Sequence, residues 1–561
     1  MMIVEHRVAN NEWRLARHSL FAILALFVGL AIALLPMPQL ITLVAIVVGL
    51  VAIAAIFHEP MFGLALVMIV GPFQPLERVS LQLPIDSGQI ILGLTLLSYL
   101  ARALATRRSP ITHYRAPIVI ALAAFAAVGL LSFFPARDFA NWANECIKWL
   151  EVLSVALLVM NERDGRKRAV VIGAILLSAT GQAIYGIIQA DVRGFGPHEF
   201  QVLGSTTNFR AYGTFEQPNP FGGYMGLVWP LAAGVALSAI LDIRFCPQPR
   251  SSFFHVQPRA TLQTSGPRPD GPAAPPKRGV PSHLSSPRVG VEGQRSGLGS
   301  QAILDWLRDL RGHAFQSANG SPISKWVRDI VVAILAGAVA AVCMFALVAS
   351  GSRGGLVGAV AAVLMMGLAL LKHPLRWVGA AMVCGLVLLG LHIVSIPLTL
   401  DAQVQQLLDI DVRNAHILPT TFSTIERLAH WQAAVRMIEA NPWLGVGFGN
   451  YGPAYPEFKL FIWDNALGHA HNYYLNIFAE TGVIGFLTYL ALWLTVFVTT
   501  WRLVRQPFVI GVLGAFSHLT AHHLFDNLYV ANMHLLIGVY LGLVGAVWLE
   551  RKYATATIIR A

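Results

Sequence analysis

The sequence predicts an all-α, polytopic integral membrane protein of about 12–14 transmembrane helices, with a partly helical loop domain on its outer face. Three observations predict it. Hydrophobic residues make up 55% of the 561 residues and charged residues only 12%, against roughly a quarter charged in an ordinary soluble domain. The mean hydropathy is +0.60. Apolar runs close to the ~20 residues that carry a helix across the hydrocarbon recur along the chain. Together these exclude a soluble enzyme, a disordered chain and a disulfide scaffold. The sequence lacks evenly spaced, short alternating segments, which argues against a membrane β-barrel.

Spans are expected at 20–36, 39–57, 60–75, 88–104, 116–134, 146–160, 168–189, 220–241, 329–350, 354–371, 376–398, 479–500, 507–523 and 530–549. Pro36 and Pro38 separate the first two. The weaker ones are 60–75, which is short, 146–160, which holds Lys148 and Glu151, and 507–523, which ends in histidines. No small-residue cleavage site follows the first run, so it reads as a retained helix.

The formal net charge of +11 is a matter of location. With a cytoplasmic N-terminus, 30 of the 40 Lys and Arg residues fall inside and 10 outside, and the short loops alone separate cleanly. The basic excess therefore calls for a bilayer and not for nucleic acid. Residues 1–19 and 550–561 are expected as cytoplasmic tails, 20–241 as N-terminal membrane helices with an outer loop at 190–219, and 242–328 as a cytoplasmic insert. Residues 329–398 follow as central helices, 399–475 as a structured outer (periplasmic) loop, and 476–549 as C-terminal helices.

The loops differ in kind. Residues 246–301 are rich in Pro, Gly, Ser and Arg and read as disordered. At 301–312, Ile303, Leu304, Trp306, Leu307 and Leu310 suit either a surface-lying amphipathic helix or a frayed helix before the next span. In the outer loop, Ile425, Leu428, Trp431, Ala434, Val435 and Ile438 recur at helical spacing until Asn441-Pro442. The four cysteines, Cys146, Cys246, Cys343 and Cys384, form no metal spacing or exposed pair. Walker, dinucleotide and zinc-protease signatures are absent, so no cofactor is expected.

The polar residues that matter sit at the outer ends of spans. Arg353, in Gly351-Ser352-Arg353-Gly354-Gly355, offers a permanently charged fork suited to phosphate oxygens. A plain interfacial arginine snorkelling from a tight hairpin reads equally well. Arg210, in Asn208-Phe209-Arg210-Ala211-Tyr212-Gly213, is a second anion contact or an ordinary loop arginine. Residues 469–480 carry His469, His471, Asn472, Asn476 and Glu480; in a helix the last three share one face. A polar stripe entering a span avoids lipid, and histidine is the natural proton acceptor near neutral pH. A structural polar network is the alternative. A metal is not expected, because His469 and His471 have no third ligand at familiar spacing. His518, His522, His523, Asp526 and Asn527 form a last polar group, read as cavity lining, helix packing or a proton path.

In this order, the motifs resemble those of the O-antigen ligase and polymerase superfamily, which shares the Wzy C-terminal region. The strongest is His471-Asn472-Tyr473-Tyr474-Leu475 with Glu480-Thr481-Gly482 and Gly485. Arg427, Trp431, the Asn441–Gly447 run and Tyr451 resemble the start of the family's outer loop, and Ser352-Arg353-Gly354 its serine-arginine-glycine turn. Gly213-Thr214-Phe215 with Asn219-Pro220, and His522 or His523 with Phe525-Asp526, resemble two further elements. The resemblance spans roughly 200–549 apart from the 246–325 insert.

The resemblance implies a metal-independent inverting glycosyltransferase. It would move a glycan from undecaprenyl diphosphate onto an acceptor hydroxyl at the outer face of the bacterial inner membrane. The acceptor is lipid A core, another lipid-linked glycan or a protein, which leaves ligase, polymerase and protein O-oligosaccharyltransferase open beside a non-enzymatic transporter of lipid-linked glycan. Arg210 and Arg353 are assigned to the diphosphate, with Arg427 as a third contact. His471 is the base and His469 the alternative. Asn472, Glu480, Asn219, Tyr212 and Asp526 are supporting residues, with Glu480 orienting the helix or the histidine network.

Overall fold

The computed structural model describes residues 37–81, 85–107, 109, 113–192, 197, 200–202, 208–244, 322–371, 373, 378, 422–460 and 463–560. The expected span 20–36, most of 376–398, the insert at 246–301, the 301–312 stretch, residues 399–421, Cys246 and Cys384 lie outside the described residues. The described chain is helical, and its β-structure is a single bridge between Gln201 and Phe209.

The helices are α1 (Met37–His58), α2 (Pro60–Val70), α3 (Gln74–Leu81), α4 (Ser87–Ala105), α5 (Pro117–Leu131), α6 (Phe139–Asn161), α7 (Gly165–Ile187) and α8 (Pro218–Arg244). Then come α9 (Pro322–Ala349), α10 (Arg353–Leu370), α11 (Phe422–Ala440), α12 (Tyr451–Phe458), α13 (Tyr473–Trp501), α14 (Pro507–His522) and α15 (Met533–Arg560). Among the described residues, eight helical stretches are long and apolar enough to cross a membrane, and three shorter apolar helices accompany them. The chain is a multi-pass, all-α membrane protein.

Local chemistry sets the helix starts. Asp86, Asp138, Asp164, Ser352 and Asn472 each cap a helix by accepting a hydrogen bond from a backbone N–H of its first turn. Pro60, Pro117 and Pro507 open α2, α5 and α14, where the missing N–H costs nothing. α6 is longer than the 146–160 run because its charges are matched within the protein. Lys148 donates to Glu145 at 2.5 Å, and Glu151 lies 2.9 Å from His534 of α15. α15 continues past the expected boundary at 549. There Lys552 lies over the Trp548 ring and Arg551 donates to the Arg502 carbonyl, the behaviour of basic residues leaving an apolar layer.

α8 is the hub, packed on α9 and α14, while α10 packs on α14, α15 on α6, and α13 on α5. α8 and α14 approach so closely that a Cβ on Gly234 would lie 2.7 Å from the Cα of Gly511. One end of the body gathers ion pairs from residues the charge partition assigns to the inside: Lys167 with Glu59 and Glu162, Arg102 with Glu59, and Arg168 with Glu550.

At the other end the segment around residues 442–450 is fastened to the helices. Asn450 Oδ1 accepts from the backbone N–H groups of Arg137 and Asp138, and the Phe448 N–H donates to Ser132 Oγ. α13 begins at Tyr473, earlier than the expected 479, and bends at Gly482 (φ 64°). The bend admits the outer turn: the N–H groups of Val446, Gly447 and Val483 donate to the carbonyls of Ala479, Glu480 and Pro442. A Cβ at Gly482 would stand 2.2 Å from the Trp443 carbonyl carbon, so both conformation and space demand glycine. Gly482→Ala is expected to destabilise the protein by about 1–3 kcal/mol or more, read as a lowered thermal midpoint in detergent; an unchanged midpoint would contradict this packing.

Candidate functional site

The site is built where several chain segments meet at that end of the helices. Arg210 leaves the Gln201–Phe209 bridge and reaches the turn between α9 and α10. Its Nε donates to the Ser350 carbonyl at 2.7 Å, and its Nη2 donates to Asn219 Oδ1, in the first turn of α8, at 2.9 Å. The Ala211 N–H donates to the Ala349 carbonyl at 3.0 Å. The turn accepts this because Gly351 has φ 59° and no side chain; a Cβ there would press on Arg210 Nε at 3.3 Å. Ser352 Oγ caps α10 by accepting from the Gly355 N–H, which leaves Arg353 exposed on the helix's first turn. The helix N-terminus adds partial positive charge at the same spot.

Two of the five guanidinium N–H groups of Arg210 are thus spent on positioning, and three remain. Burial and the charges of Arg427 and Arg353 hold the Arg210 guanidinium below its ordinary value, so the three arginines share one field. None has an ion-pair partner among the described residues. Arg427, half-buried on α11, has a buried Nε without a hydrogen-bond partner.

The histidines adjoin this field. His471 has φ 52°, with its N–H donating to His469 Nδ1 at 3.0 Å. The two rings meet edge to face with centroids 4.4 Å apart. Asp526, buried just beyond the end of α14, brings Oδ1 to 3.7 Å from His469 Nε2 and 3.9 Å from His471 Nδ1. Burial pushes His471 down to about 3, helped by His469, Arg427 and His430 and opposed by Asp526. Burial also lowers His469. Burial pushes the Asp526 carboxyl up, but His469, His522 and His471 pull it further down, and it stays below the usual range. The resting arrangement at neutral pH is a carboxylate beside two neutral imidazoles.

Asp526 is a third candidate metal ligand, which local spacing did not reveal: the ligand atoms of His469, His471 and Asp526 lie within 4.8 Å of one another. The donors suit a divalent cation. The nearby charge of Arg427, felt by both histidines, opposes one.

The supporting residues hold the site in several ways. Asn472 is not part of a helical stripe: it precedes α13, and its Oδ1 accepts from the Leu475 N–H. Asn476 Oδ1 accepts from the Ala470 N–H and so holds the histidine loop. Glu480 lies on the far side of that loop's support, where its Oε1 accepts from the Tyr451 N–H at 3.1 Å. Tyr212 stacks at a tilt on Phe200. His522 packs under the arginine turn, where a Cβ on Gly354 would meet its ring at 2.6 Å, and its Nδ1 lies 3.4 Å from His518 Nε2. His523 turns away into an aromatic group with Tyr473, Tyr489 and Tyr529.

Sequence reasoning missed His430. The α11 face that packs inward is Ile425, Ala429, His430, Ala433, Ala434 and Met437, not the larger stripe through Leu428, Trp431 and Val435. The small side chains permit close approach, and Val435 is left exposed. The His430 ring stacks on Tyr455 and meets His471 edge-on, with centroids 5.6 Å apart. Its Nδ1 lies 3.0 Å from the Tyr451 hydroxyl, which also donates to the His430 carbonyl. Glu480 thus connects to His471 through Tyr451 and His430. The Arg427–His430 spacing on one helix was the available signal.

This is a multi-pass membrane protein that gathers arginines without ion-pair partners among the described residues beside neutral histidines. Residues 338–490, running from α9 into α13, match the family described as O-Antigen ligase, with the Wzy C-terminal region. The match covers 153 of the 561 residues and supports a relation to the O-antigen ligase and Wzy superfamily. It includes Arg353, Arg427, His469, His471 and Glu480 and leaves out Arg210 and Asp526. Comparison with curated proteins finds no match.

Tyr451→Phe leaves the buried His430 Nδ1 without its partner. A loss of about 1–3 kcal/mol is expected, measured as a lowered unfolding midpoint; no change would detach Tyr451 from the histidine support.

Proposed function

We propose that the chain is an inverting glycosyltransferase that moves a glycan from undecaprenyl diphosphate onto an acceptor hydroxyl at the outer face of the inner membrane. In this reading both termini are cytoplasmic. The observation that carries it is the meeting of Arg210, Arg353 and Arg427, without carboxylate partners among the described residues, beside His469, His471 and Asp526. Three guanidinium groups sharing one field favour a multiply charged anion, and a lipid diphosphate supplies one at the membrane boundary.

The chemistry needs no nucleotide, because a glycosyl diphosphate is already activated. The acceptor oxygen attacks the anomeric carbon as the bond from that carbon to the diphosphate oxygen breaks. The electron pair leaves with the lipid diphosphate, whose growing charge the arginines stabilise. The hydroxyl proton passes to His471, or to His469. The imidazolium formed is stabilised by the Asp526 carboxylate 3.9 Å from His471 Nδ1. Attack opposite the leaving group inverts the anomeric centre.

Donor binding also prepares the base. The charge of Arg427 depresses His471. A bound diphosphate offsets that charge and raises His471 towards its ordinary value, so the imidazole becomes a stronger base when the donor is in place.

Arg353→Ala and His471→Ala are expected to remain folded and membrane-inserted and to lose transfer by about 100-fold or more in proteoliposomes. Normal transfer by both would overturn the roles. The pH profile carries a sign. A depressed histidine is protonated only at low pH, so kcat/KM should be flat from about pH 8 to about pH 5 and fall as pH approaches about 3. The acid limb of kcat should lie at higher pH than that of kcat/KM, because the bound anion raises the base. Acid limbs in the reverse order would contradict Arg427 as a diphosphate contact.

A further inference from the structure

A cavity of about 950 Å³ opens beside the site, with His469 and Asp526 in its wall. Its remaining wall comes largely from α3, α4, α6 and the start of α15, elements outside the matched family region. Its charge differs from that of the arginine field. Glu145, Glu151, Glu216 and Asp526 face it against Arg78 and Lys148, so carboxylates outnumber permanent cations. Lys148 is moreover paired to Glu145 at 2.5 Å. Gln89, Asn144, Gln217 and Asn532 add amides, and Phe215 and Tyr529 add aromatic surface. Two lining residues are 5% exposed and hold polar atoms without hydrogen-bond partners: Asn532 Oδ1 and His534 Nδ1. Buried unpaired polar atoms at a cavity wall are costly unless a ligand meets them.

Amides and carboxylates that exchange hydrogen bonds with hydroxyl groups, together with apolar ring faces, suit a saccharide. An excess of carboxylates repels phosphate groups. We infer that this cavity holds the acceptor, and that it selects an uncharged saccharide over a phosphorylated one. The inference rests on the glycosyltransferase reading. The two ligands are thereby sorted by charge: the lipid diphosphate to the arginines, the acceptor saccharide to the acidic cavity, with His469 and Asp526 at their junction.

The test uses the full chain in nanodiscs and oligosaccharides released from the host cell's own envelope, separated into neutral and phosphorylated pools. Binding is measured by calorimetry. The neutral pool is expected to bind about tenfold or more tightly than the phosphorylated pool. Glu216→Lys should narrow that gap and Arg78→Gln, at an exposed position, should widen it. Equal or tighter binding of the phosphorylated pool, no binding of either, or a gap that neither variant moves would overturn the inference. Release of glycan from the lipid-diphosphate donor to water by the wild-type chain is followed separately. If release occurs without the neutral preference, the cavity assignment fails alone; if neither release nor transfer occurs, the glycosyltransferase reading fails and takes the inference with it.

Discussion

Like charges repel, yet Arg210, Arg353 and Arg427 share one field: burial, and then the charges of Arg427 and Arg353, hold the Arg210 guanidinium below its ordinary value. A protein sustains such an arrangement only where the scaffold holds each member. The Ser350 carbonyl and the Asn219 side chain hold Arg210, and the capped start of α10 fixes Arg353. α11 carries Arg427. The close approaches at Gly351 and Gly354, the bend of α13 and the seating of the outer turn on α5 and α6 all serve to bring these supports together.

The same field governs the histidines. His471 is neutral because it is buried and because Arg427 and its histidine neighbours oppose a proton, while Asp526 waits within reach to stabilise one. A base so placed is idle without an anion and competent with one. On the proposed reading, this couples donor binding to acceptor activation without any moving part.

Much of the fold was legible in the sequence, because apolar runs and the bilayer thickness leave little freedom: α1, α4, α8 and α14 lie nearly where hydropathy put them. The errors have physical causes. α6 carries Glu145, Lys148 and Glu151, whose charges are met by the Lys148–Glu145 pair within the helix and by His534 of α15. α11 buries its small residues instead of its large ones, which hid His430. The stripe through Asn472, Asn476 and Glu480 dissolved into a cap, a loop tie and a turn anchor once the helix began at Tyr473 and bent at Gly482. The arginines and His471 could be named from motif order. Their convergence, and the arrival of Asp526 beside the two histidines, depended on packing between segments far apart in the chain. The cavity wall from α3, α4 and α6 carried no motif at all.

On the proposed reading the three arginines form one site for a diphosphate. This is tested most directly by titrating a short isoprenyl diphosphate into the purified chain in nanodiscs, beside the variant carrying Arg210→Gln, Arg353→Gln and Arg427→Gln. Saturable binding to the wild-type chain is expected, with weaker binding of the isoprenyl monophosphate and no measurable binding of the diphosphate to the folded triple variant. Equal diphosphate binding by the two proteins would contradict it.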